Sequence, residues 1–431
     1  MDLSAQMKQL ARQARAASRE IAALSAAQKN ACLHAMAAAL KEARPEIQTA
    51  NDKDLAFGRS ENLSKAMLDR LQLNEARIRA MADAVDQVAS LPDPVGRLLE
   101  ERVRPNGLKL RKVSVPIGVI VIIYESRPNV TADAASLCFK SGNAVILRGG
   151  KESMHSNQTI AETMVRAAKA AVPEFPAHAI QVVPTTDREA IRELLSFTDL
   201  VDLCMPRGGE GLIRAVVDCS KVPVIKHYKG ICHIYVDAEA DPAMASSIVL
   251  NAKTQRPAVC NAAETLLVDA SVAASFLPLI ATPLAAKQVE LRADPTALGI
   301  LSDGRSAASI PSLKLKPVSD EDYFTEYNDF ILNLRVVDGV EEAISHINHY
   351  GSAHSDSIVT RNPATADKFL RQVDSAAVYW NASTRFTDGG EFGMGAEIGI
   401  STDKIGARGP MGLDELTSYK WLGFGEGQIR T

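Results

Sequence analysis

The sequence lacks the features that place a protein in a membrane or outside the cell. No uninterrupted run of about 18 apolar residues occurs, so no membrane-spanning helix is predicted. Residues 1–30 are polar at helical spacing and have no apolar centre of the kind found in signal peptides. Asp2 and Glu20 favour a folded helix over an acid-poor transit peptide. We therefore expect a cytoplasmic protein.

The chain also lacks a large excess of either charge and any clustered metal ligands. The 48 basic and 52 acidic residues leave a formal charge of −4, which gives no reason to expect nucleic acid or an anionic membrane as a partner. No cysteine forms a C-x-x-C pair or has a histidine at zinc-finger spacing, so no metal is expected. The six cysteines, expected to be reduced thiols, are Cys32, Cys138, Cys204, Cys219, Cys232 and Cys260.

The usual phosphate-binding motifs are missing as well. No G-x-G-x-x-G follows a predicted strand, and no G-x-x-x-x-G-K-[ST] occurs. The glycines of residues 393–399 have the wrong spacing. If the chain binds a dinucleotide, the site has a different design.

What the sequence does contain is a regular alternation of strands and helices. Residues 3–90 have helical periodicity, and residues 91–97 break it with two prolines and a glycine. Beyond them, apolar β-branched runs alternate with amphipathic segments, which predicts parallel sheets wound with helices. The predicted strands are 118–124, 143–149, 179–184, 200–206, 222–226, 232–237, 264–269, 330–337 and 355–360, with an extended edge segment at 416–424. At 431 residues we expect two or three domains, with ligands at the carboxyl ends of the strands.

Cys260 is the cysteine whose context differs from that of the others. Most cysteines are small buried apolar residues, and the other five lie inside apolar helical or strand patterns. Cys260 follows a helix that ends near Gln255, passes Arg256-Pro257 and precedes the polar Asn261. A thiol on a loop that enters a buried strand suits a nucleophile.

Two further segments offer polar groups at strand ends. Asn129 follows a strand and Pro128 and is either a turn or N-cap residue or a carboxamide donor to an oxyanion. Residues 148–153, RGGKES, are either a solvated loop or a contact to phosphate or ribose.

Four stretches together resemble the aldehyde dehydrogenase superfamily and, within it, the γ-glutamyl phosphate reductase family. They are residues 115–153, 255–268, 326–360 and 392–421, and the last carries the G-A-E-I-G-I-S-T and A-R-G-P-M-G-L sequences specific to that family. The resemblance implies an α/β aldehyde dehydrogenase-like fold with two Rossmann-like parallel-sheet domains and a small oligomerisation β element. The implied domains are 1–100 with 118–230 for NADP binding, 231–411 for catalysis, and 101–117 with 412–431 for oligomerisation.

The resemblance also implies roles for individual residues. Cys260 matches the catalytic cysteine and Asn129 the asparagine that stabilises the oxyanion. The matches to cofactor-binding residues are Arg148, Lys151, Ser153, Gly208, Gly209 and Glu326. Arg127, Arg256 and Arg408 are the candidates for holding the anionic substrate, and a surface ion pair is the alternative for each.

Two departures from the superfamily pattern refine the expected chemistry. Hydrolytic relatives carry a glutamate about one strand before the cysteine, but residues 221–236 contain no acid, so water is not expected as second substrate. NAD-preferring relatives carry a glutamate where this chain has Met154, with Arg148 and Lys151 nearby. A 2′-phosphate is therefore accommodated, and NADPH is the expected cofactor.

The implied function is NADPH-dependent reduction of L-glutamyl 5-phosphate to L-glutamate 5-semialdehyde, through a cysteine thioester, in proline biosynthesis. The alternatives are oxidation of a free aldehyde, acyl-CoA reduction, and a non-catalytic scaffold that kept the fold. The resemblance further implies a homo-oligomer, a dimer or tetramer. Association with glutamate 5-kinase, which makes the unstable substrate, is left open.

Overall fold

The computed structural model of the chain describes residues 2–303 and 310–430, which form two compact units. Unit 1 takes its residues from 1–226, 393–399 and 411–431, and unit 2 from 227–392 and 400–410. No helix within the described ranges is both long enough and apolar enough to cross a membrane.

The helices and strands of the described residues follow one another in this order. They are α1 (Leu3–Ile21), α2 (Ala26–Glu42), α3 (Arg44–Ser60), α4 (Lys65–Leu71), α5 (Glu75–Ser90), β1 (Leu98–Val103), β2 (Lys109–Pro116), β3 (Val119–Tyr124), α6 (Asn129–Lys140), β4 (Ala144–Arg148), α7 (Met154–Ala171), β5 (Ile180–Val182), α8 (Glu189–Leu194), β6 (Leu203–Arg207), α9 (Glu210–Cys219), β7 (Cys232–Val236), α10 (Pro242–Thr254), β8 (Ala263–Asp269), α11 (Ala270–Ala286), β9 (Glu290–Ala293), α12 (Pro295–Ser302), β10 (Lys314–Pro317), α13 (Asp320–Tyr323), β11 (Ile331–Val337), α14 (Gly339–Tyr350), β12 (Ser355–Val359), α15 (Pro363–Gln372), β13 (Ala377–Trp380), β14 (Gly399–Ser401), β15 (Gly409–Met411) and β16 (Thr417–Phe424).

Unit 1 is built on a parallel sheet with the strand order β5-β4-β3-β6. Every residue of β3 is buried, as expected for an uninterrupted apolar strand covered on both faces. Gly142 follows α6 with a φ of 83°, and a Cβ there would meet the Pro116 ring. Glycine is therefore required after this helix by both backbone conformation and space.

A second sheet of unit 1 is antiparallel, with the order β1-β2-β16. The predicted extended segment at residues 416–424 is confirmed as β16, which lies at the edge of this sheet.

Unit 2 is built on a longer parallel sheet with the order β10-β9-β11-β8-β7-β12-β13. Every pairing in it is parallel, so the fold class predicted from the alternation is confirmed. The largest apolar cluster of unit 2 is formed by the inner side chains of β7, β8, β9 and β11 and by the helices α10, α11 and α12.

One predicted strand is wrong, and several short elements were not predicted. Residues 222–226 form no strand and make only a single bridge, between Val224 and Cys204. Pro223 has no N–H to donate, so the ladder cannot continue. The missed strands β9, β10 and β13 have four residues each, too few for a pattern to emerge.

Candidate active site

The candidate residues of unit 1 follow the carboxyl ends of its parallel strands. Arg127 and Asn129 follow β3, Arg148 ends β4 and precedes Lys151 and Ser153, and Gly208 and Gly209 follow β6. Because the strands are parallel, the structure brings all of these residues to one edge of the sheet.

Asn129 is held by a carboxylate one turn further along its helix. The residue is half-buried and begins α6, whose cap is Pro128 without a side-chain bond, so the N-cap interpretation is wrong. Asn129 Nδ2 donates to Asp133 Oδ2 at 2.9 Å. Burial raises the pKa of Asp133 to about 6, and the bond from Asn129 opposes that rise. The carboxylate orients the carboxamide, whose NH₂ group has a second N–H to donate.

Arg148, at the end of β4, connects the loop that follows β4 to the loop that follows β5. Its terminal nitrogens donate to the carbonyls of Gly149 and Thr186, both at 2.9 Å. Its Nε is buried and has no hydrogen-bond partner among the described residues. Burial lowers the pKa of Arg148, the negative charge of Glu152 opposes this effect, and the positive charge of Arg188 adds to it. Two cations therefore lie at the carboxyl ends of β4 and β5.

Lys151 and Ser153 occupy the turn that leads into α7. Lys151 is exposed, forms an ion pair with Glu61 and places its Nζ 5.4 Å from the centre of the Phe57 ring. Ser153 is buried, and its hydroxyl accepts a hydrogen bond from Asn157 at 2.9 Å. Of these two candidates, only Lys151 presents a charged group to solvent.

Gly208 and Gly209 form a close turn before α9. Glu125 Oε2 accepts the Gly209 N–H at 3.1 Å. A Cβ on Gly208 would overlap the ends of the Glu125 and Leu212 side chains, which would have to move to accommodate it. The Gly209 N–H at the N-terminus of α9 is therefore already hydrogen-bonded to the Glu125 carboxylate.

The candidate residues of unit 2 lie at the opposite ends of their strands. Cys260 precedes β8, and Glu326 precedes β11. The register that pairs Cys232 with Ala263 shows that these amino ends share one edge of the parallel sheet. The expectation of a ligand site at carboxyl ends is therefore wrong for the unit 2 candidates.

Cys260 is half-buried in a turn in which the Ala262 N–H donates to the Val259 carbonyl at 3.0 Å. A Cβ on Gly230 would overlap the Cys260 backbone, so only glycine fits beneath it. The fully buried Cys232 thiol donates to the Cys260 carbonyl at 3.2 Å. Burial raises the pKa of Cys232 well above its usual value, so this thiol stays neutral and keeps its proton to donate.

A buried polar chain continues from Cys232. Its Sγ lies 3.8 Å from His354 Nδ1, which is 2.8 Å from Ser355 Oγ. Ser355 donates to Thr387 Oγ1, and Tyr379 shares the same hydroxyl, both at 2.7 Å. Burial lowers the pKa of His354 to about 3, so its imidazole is neutral at physiological pH. The chain links the Cys260 turn to the segment after β13.

The segment after β13, residues 384–387, forms hydrogen bonds to the other side of the Cys260 loop. The Thr384 hydroxyl donates to the Asn261 carbonyl at 2.7 Å, and Asn261 Nδ2 donates to the Thr387 carbonyl at 2.9 Å. Arg385 donates through Nη1 to Asn261 Oδ1 and through Nε to Gln255 Oε1 at 2.7 Å. The peptide after the cysteine is thus fixed from both sides.

A buried ion pair joins the two elements that flank the loop. Lys253 Nζ, on the last turn of α10, lies 2.7 Å from Glu264 Oε2 on β8. Burial raises the pKa of Glu264 to about 7, and the negative charge of Glu326 adds to the rise. Glu326 therefore lies within electrostatic reach of Glu264 at the start of β8.

The arginine candidates of unit 2 differ in their surroundings. Arg256 is exposed, and its charge contributes to the lowered pKa of Arg385, which burial mainly causes. Arg408 donates to the carboxylate and the carbonyl of Asp374, at 2.9 and 3.0 Å. Arg408 therefore forms an ion pair with Asp374, as in the alternative given for each arginine candidate.

Sequence reasoning missed three residues around Cys260. Cys232 was interpreted as a small core residue, and Arg385 and Glu264 were not singled out. A charged residue in the buried strand that follows Cys260 was a usable signal for Glu264. No local pattern marks Arg385 or Cys232, because the fold alone brings them to the loop. Within residues 2–303 and 310–430, no group of three or more His, Cys, Asp or Glu residues could hold a metal ion.

Comparisons with known proteins agree on the family of the chain. The model of the aldehyde dehydrogenase family matches residues 3–313. Gamma-glutamyl phosphate reductase of Opitutus terrae is 54% identical over 100% of this chain and 99% of its own length. The protein of the same name from Moorella thermoacetica is 53% identical over 100% of both chains. The crystal structure of gamma-glutamyl phosphate reductase from Thermotoga maritima has a TM-score of 0.94 at 43% identity, covering 99% of this chain and 100% of that one.

Proposed function

The chain belongs to the aldehyde dehydrogenase family and, within it, to the γ-glutamyl phosphate reductases, and from this premise we propose that it reduces L-glutamyl 5-phosphate to L-glutamate 5-semialdehyde. The reaction releases phosphate and is the second step of proline biosynthesis from glutamate. The observation that carries the proposal is identity of 54% and 53% to two reductases over the full length of the chain.

The proposed nucleophile is Cys260. Its thiolate attacks the acyl carbon, the bond from that carbon to the phosphate oxygen breaks, and phosphate leaves with the electron pair, which gives a thioester. The hydrogen bond from the Cys232 thiol to the Cys260 carbonyl supports this role, because a fixed peptide limits the directions in which the Cys260 thiol can point. A bound nicotinamide cofactor supplies the hydride that converts the thioester to the aldehyde level, after which Cys260 departs as thiolate.

Asn129 is the proposed donor to the oxygen that becomes negative during acyl transfer. Its carboxamide is oriented by Asp133, which supports a fixed donor. Loss of one such donor typically lowers the rate by about 10²–10³-fold. We expect Asn129→Ala to fall in that range and Asn129→Asp to restore little, since a carboxylate cannot donate.

Water is not the proposed second substrate. Residues 221–236 hold no acid, and Glu264, the buried carboxylate that follows Cys260, is engaged by Lys253 at 2.7 Å. A carboxylate paired with a lysine is a poor general base for water. This arrangement supports reduction of the thioester over its hydrolysis.

The strand ends of unit 1 fit a nicotinamide cofactor that carries a 2′-phosphate. Lys151, Arg148 and Arg188 supply positive charge after β4 and β5, where the neighbouring acids are Glu61, Glu152 and Asp187. Met154 stands where NAD-preferring relatives carry a glutamate. Lys151 and Arg148 are proposed to hold the phosphorylated ribose. Ser153, Gly208 and Gly209 are proposed to line the same site, and Glu326 in unit 2 to hold the nicotinamide ribose. We therefore propose NADPH, and a clear kinetic preference for NADH would contradict this choice.

The substrate carries a phosphate and an α-carboxylate, and both need cations. Arg256 lies four residues before Cys260 and Arg127 two residues before Asn129, so both are proposed substrate contacts. Arg408 is the weaker candidate, because Asp374 already engages its guanidinium.

The β1-β2-β16 sheet is the proposed oligomerisation surface. Its edge strand β16 exposes Tyr419 and Trp421 on one face of the sheet and Phe424 on the other, and exposed aromatic side chains on an edge strand are typical of interfaces. We expect Trp421→Glu to lower the molecular mass measured by light scattering. Leu370→Glu, at an exposed apolar residue of α15, is the matched control, and an unchanged mass in Trp421→Glu would contradict the proposal.

A cytoplasmic location is proposed from cysteine chemistry. All six cysteines lie within the described residues and carry thiols, none joined in a disulfide. Thiols persist in the reducing cytoplasm.

The test of the function is an assay in the reverse direction. Reduction of NADP⁺ with glutamate 5-semialdehyde is expected to require inorganic phosphate, and Cys260→Ala is expected to abolish it, whereas Cys138→Ala retains it. Rapid oxidation without phosphate would favour an aldehyde dehydrogenase, and dependence on coenzyme A an acyl-CoA reductase. Absence of turnover with an inert Cys260 would favour a scaffold.

A further inference from the structure

We propose that Arg385 is a positioning residue for the nucleophile, holding the loop that carries Cys260 and supplying a positive charge that favours its thiolate. The inference rests on the proposed role of Cys260. At pH 7 a cysteine of ordinary pKa, about 8.5, is mostly protonated, so a reactive thiolate needs a local source of stabilisation.

The guanidinium spans the loop from end to end. Nε donates to Gln255 at 2.7 Å, where α10 ends, and Nη1 donates to Asn261, the residue after Cys260. Arginine suits this task because its donors lie in one rigid plane. A lysine carries its three donors on one flexible nitrogen and does not reproduce this planar fork.

The backbone of Arg385 is itself fixed. It lies in a single 3₁₀ turn, Thr384–Phe386, and its N–H donates to the Ser383 hydroxyl at 3.3 Å. Thr384 is buried, and its hydroxyl donates to the Asn261 carbonyl. The backbone of Arg385 is therefore held beside the cysteine loop by contacts that do not involve the guanidinium.

The electrostatics support the same assignment. Burial lowers the pKa of Arg385, and the charge of Arg256 lowers it further, whereas the negative forms of Asp388 and Cys260 raise it. Such an interaction is mutual, so the cation that a thiolate stabilises also stabilises the thiolate. The other ionisable groups around the loop are Arg256, Asp388, Cys232, His354, Asp356, Glu326 and the Lys253–Glu264 pair.

The experiment measures the rate at which iodoacetamide alkylates Cys260 in the full chain as a function of pH, with Cys260→Ala identifying the labelled site. Loss of a charge at a half-exposed position is expected to raise the apparent pKa of Cys260 by about 1 in Arg385→Gln. In Arg385→Lys, Cys260 is expected to keep its wild-type pKa, because the positive charge is kept. The same variant is expected to lower kcat, because the paired donors to Gln255 and Asn261 are lost. Arg371→Gln, at an arginine of α15 paired with Asp367, is the control and keeps both values.

Each outcome decides the proposal. An unchanged pKa in Arg385→Gln, or an equal rise in Arg385→Lys or Arg371→Gln, would overturn it. If Arg385→Gln fails to fold, Arg385→Met takes its place and must show the same rise. Reductase activity in Cys260→Ala would instead sink the proposed function, whatever the alkylation profiles show.

Discussion

Removing the Glu264 carboxylate would leave Lys253 buried without its partner. The two side chains are 1% and 0% exposed and their charged atoms lie 2.7 Å apart. Burial lowers the pKa of Lys253, and the attraction of Glu264 opposes that effect. In Glu264→Leu the lysine must fold as a neutral amine, and breaking a buried pair in this way costs about 3–5 kcal/mol.

The cost has a calculable pH dependence. Deprotonating a lysine of ordinary pKa, about 10.4, costs about 3.3 kcal/mol at pH 8 and about 1.2 kcal/mol at pH 9.5. The unfolded variant binds the proton and the folded variant does not, so its free energy of unfolding rises with pH relative to wild type. Over this range Glu264, with a pKa of about 7, is mostly ionised in wild type.

The assay is urea unfolding followed by fluorescence of Trp380 in unit 2. A Trp421→Phe background removes the signal of the other tryptophan, which lies in unit 1. The double variant Lys253→Met/Glu264→Leu has no buried charge, so its stability is expected within about 1 kcal/mol of wild type. A loss of the same size at pH 8 and pH 9.5 would refute the reasoning.

Three further variants test the proposed site. Asp133→Asn is expected to increase the free energy of unfolding at pH 8 by up to about 3 kcal/mol. The folded pKa of Asp133 is raised to about 6, so ionisation of this carboxyl costs stability as pH rises. Urea unfolding at pH 5 and pH 8 checks the sign. The same variant is expected to lower kcat by weakening the hold on Asn129. Cys232→Ala removes the thiol bond to the Cys260 carbonyl and should slow alkylation of Cys260 by about two- to fivefold, whereas Cys232→Ser should restore the rate. Lys151→Gln should raise the KM for NADPH about tenfold and leave that for NADH unchanged, which initial-rate kinetics with both cofactors would measure; equal changes in both would count against a phosphate contact.

The architecture could be predicted from the sequence wherever a segment is long and strongly patterned. The apolar run of residues 118–124 became the fully buried β3, and the helical period of residues 3–90 became α1 to α5. The pattern failed at residues 222–226, where an apolar β-branched run contains Pro223 and cannot extend its ladder.

The surroundings of the proposed nucleophile could not be predicted in the same way. Cys260 stood out because its neighbours in sequence are a turn and a strand. Arg385 is 125 residues away in the sequence and reaches the loop only through the packing of the segment after β13. Cys232 had the apolar context of a core residue, and the register between β7 and β8 alone places its thiol under the Cys260 carbonyl. Such contacts are set by tertiary structure, which no local period encodes.

Trapping the acyl enzyme tests the central claim most directly. Glutamyl phosphate would be generated in place by glutamate 5-kinase with glutamate and ATP, without any nicotinamide cofactor, and the protein would then be analysed by peptide mass spectrometry. We predict one glutamyl group on Cys260, removed when NADPH is added, and none in Cys260→Ala. Full reductase activity in an enzyme that never carries a glutamyl group on Cys260 would contradict the account.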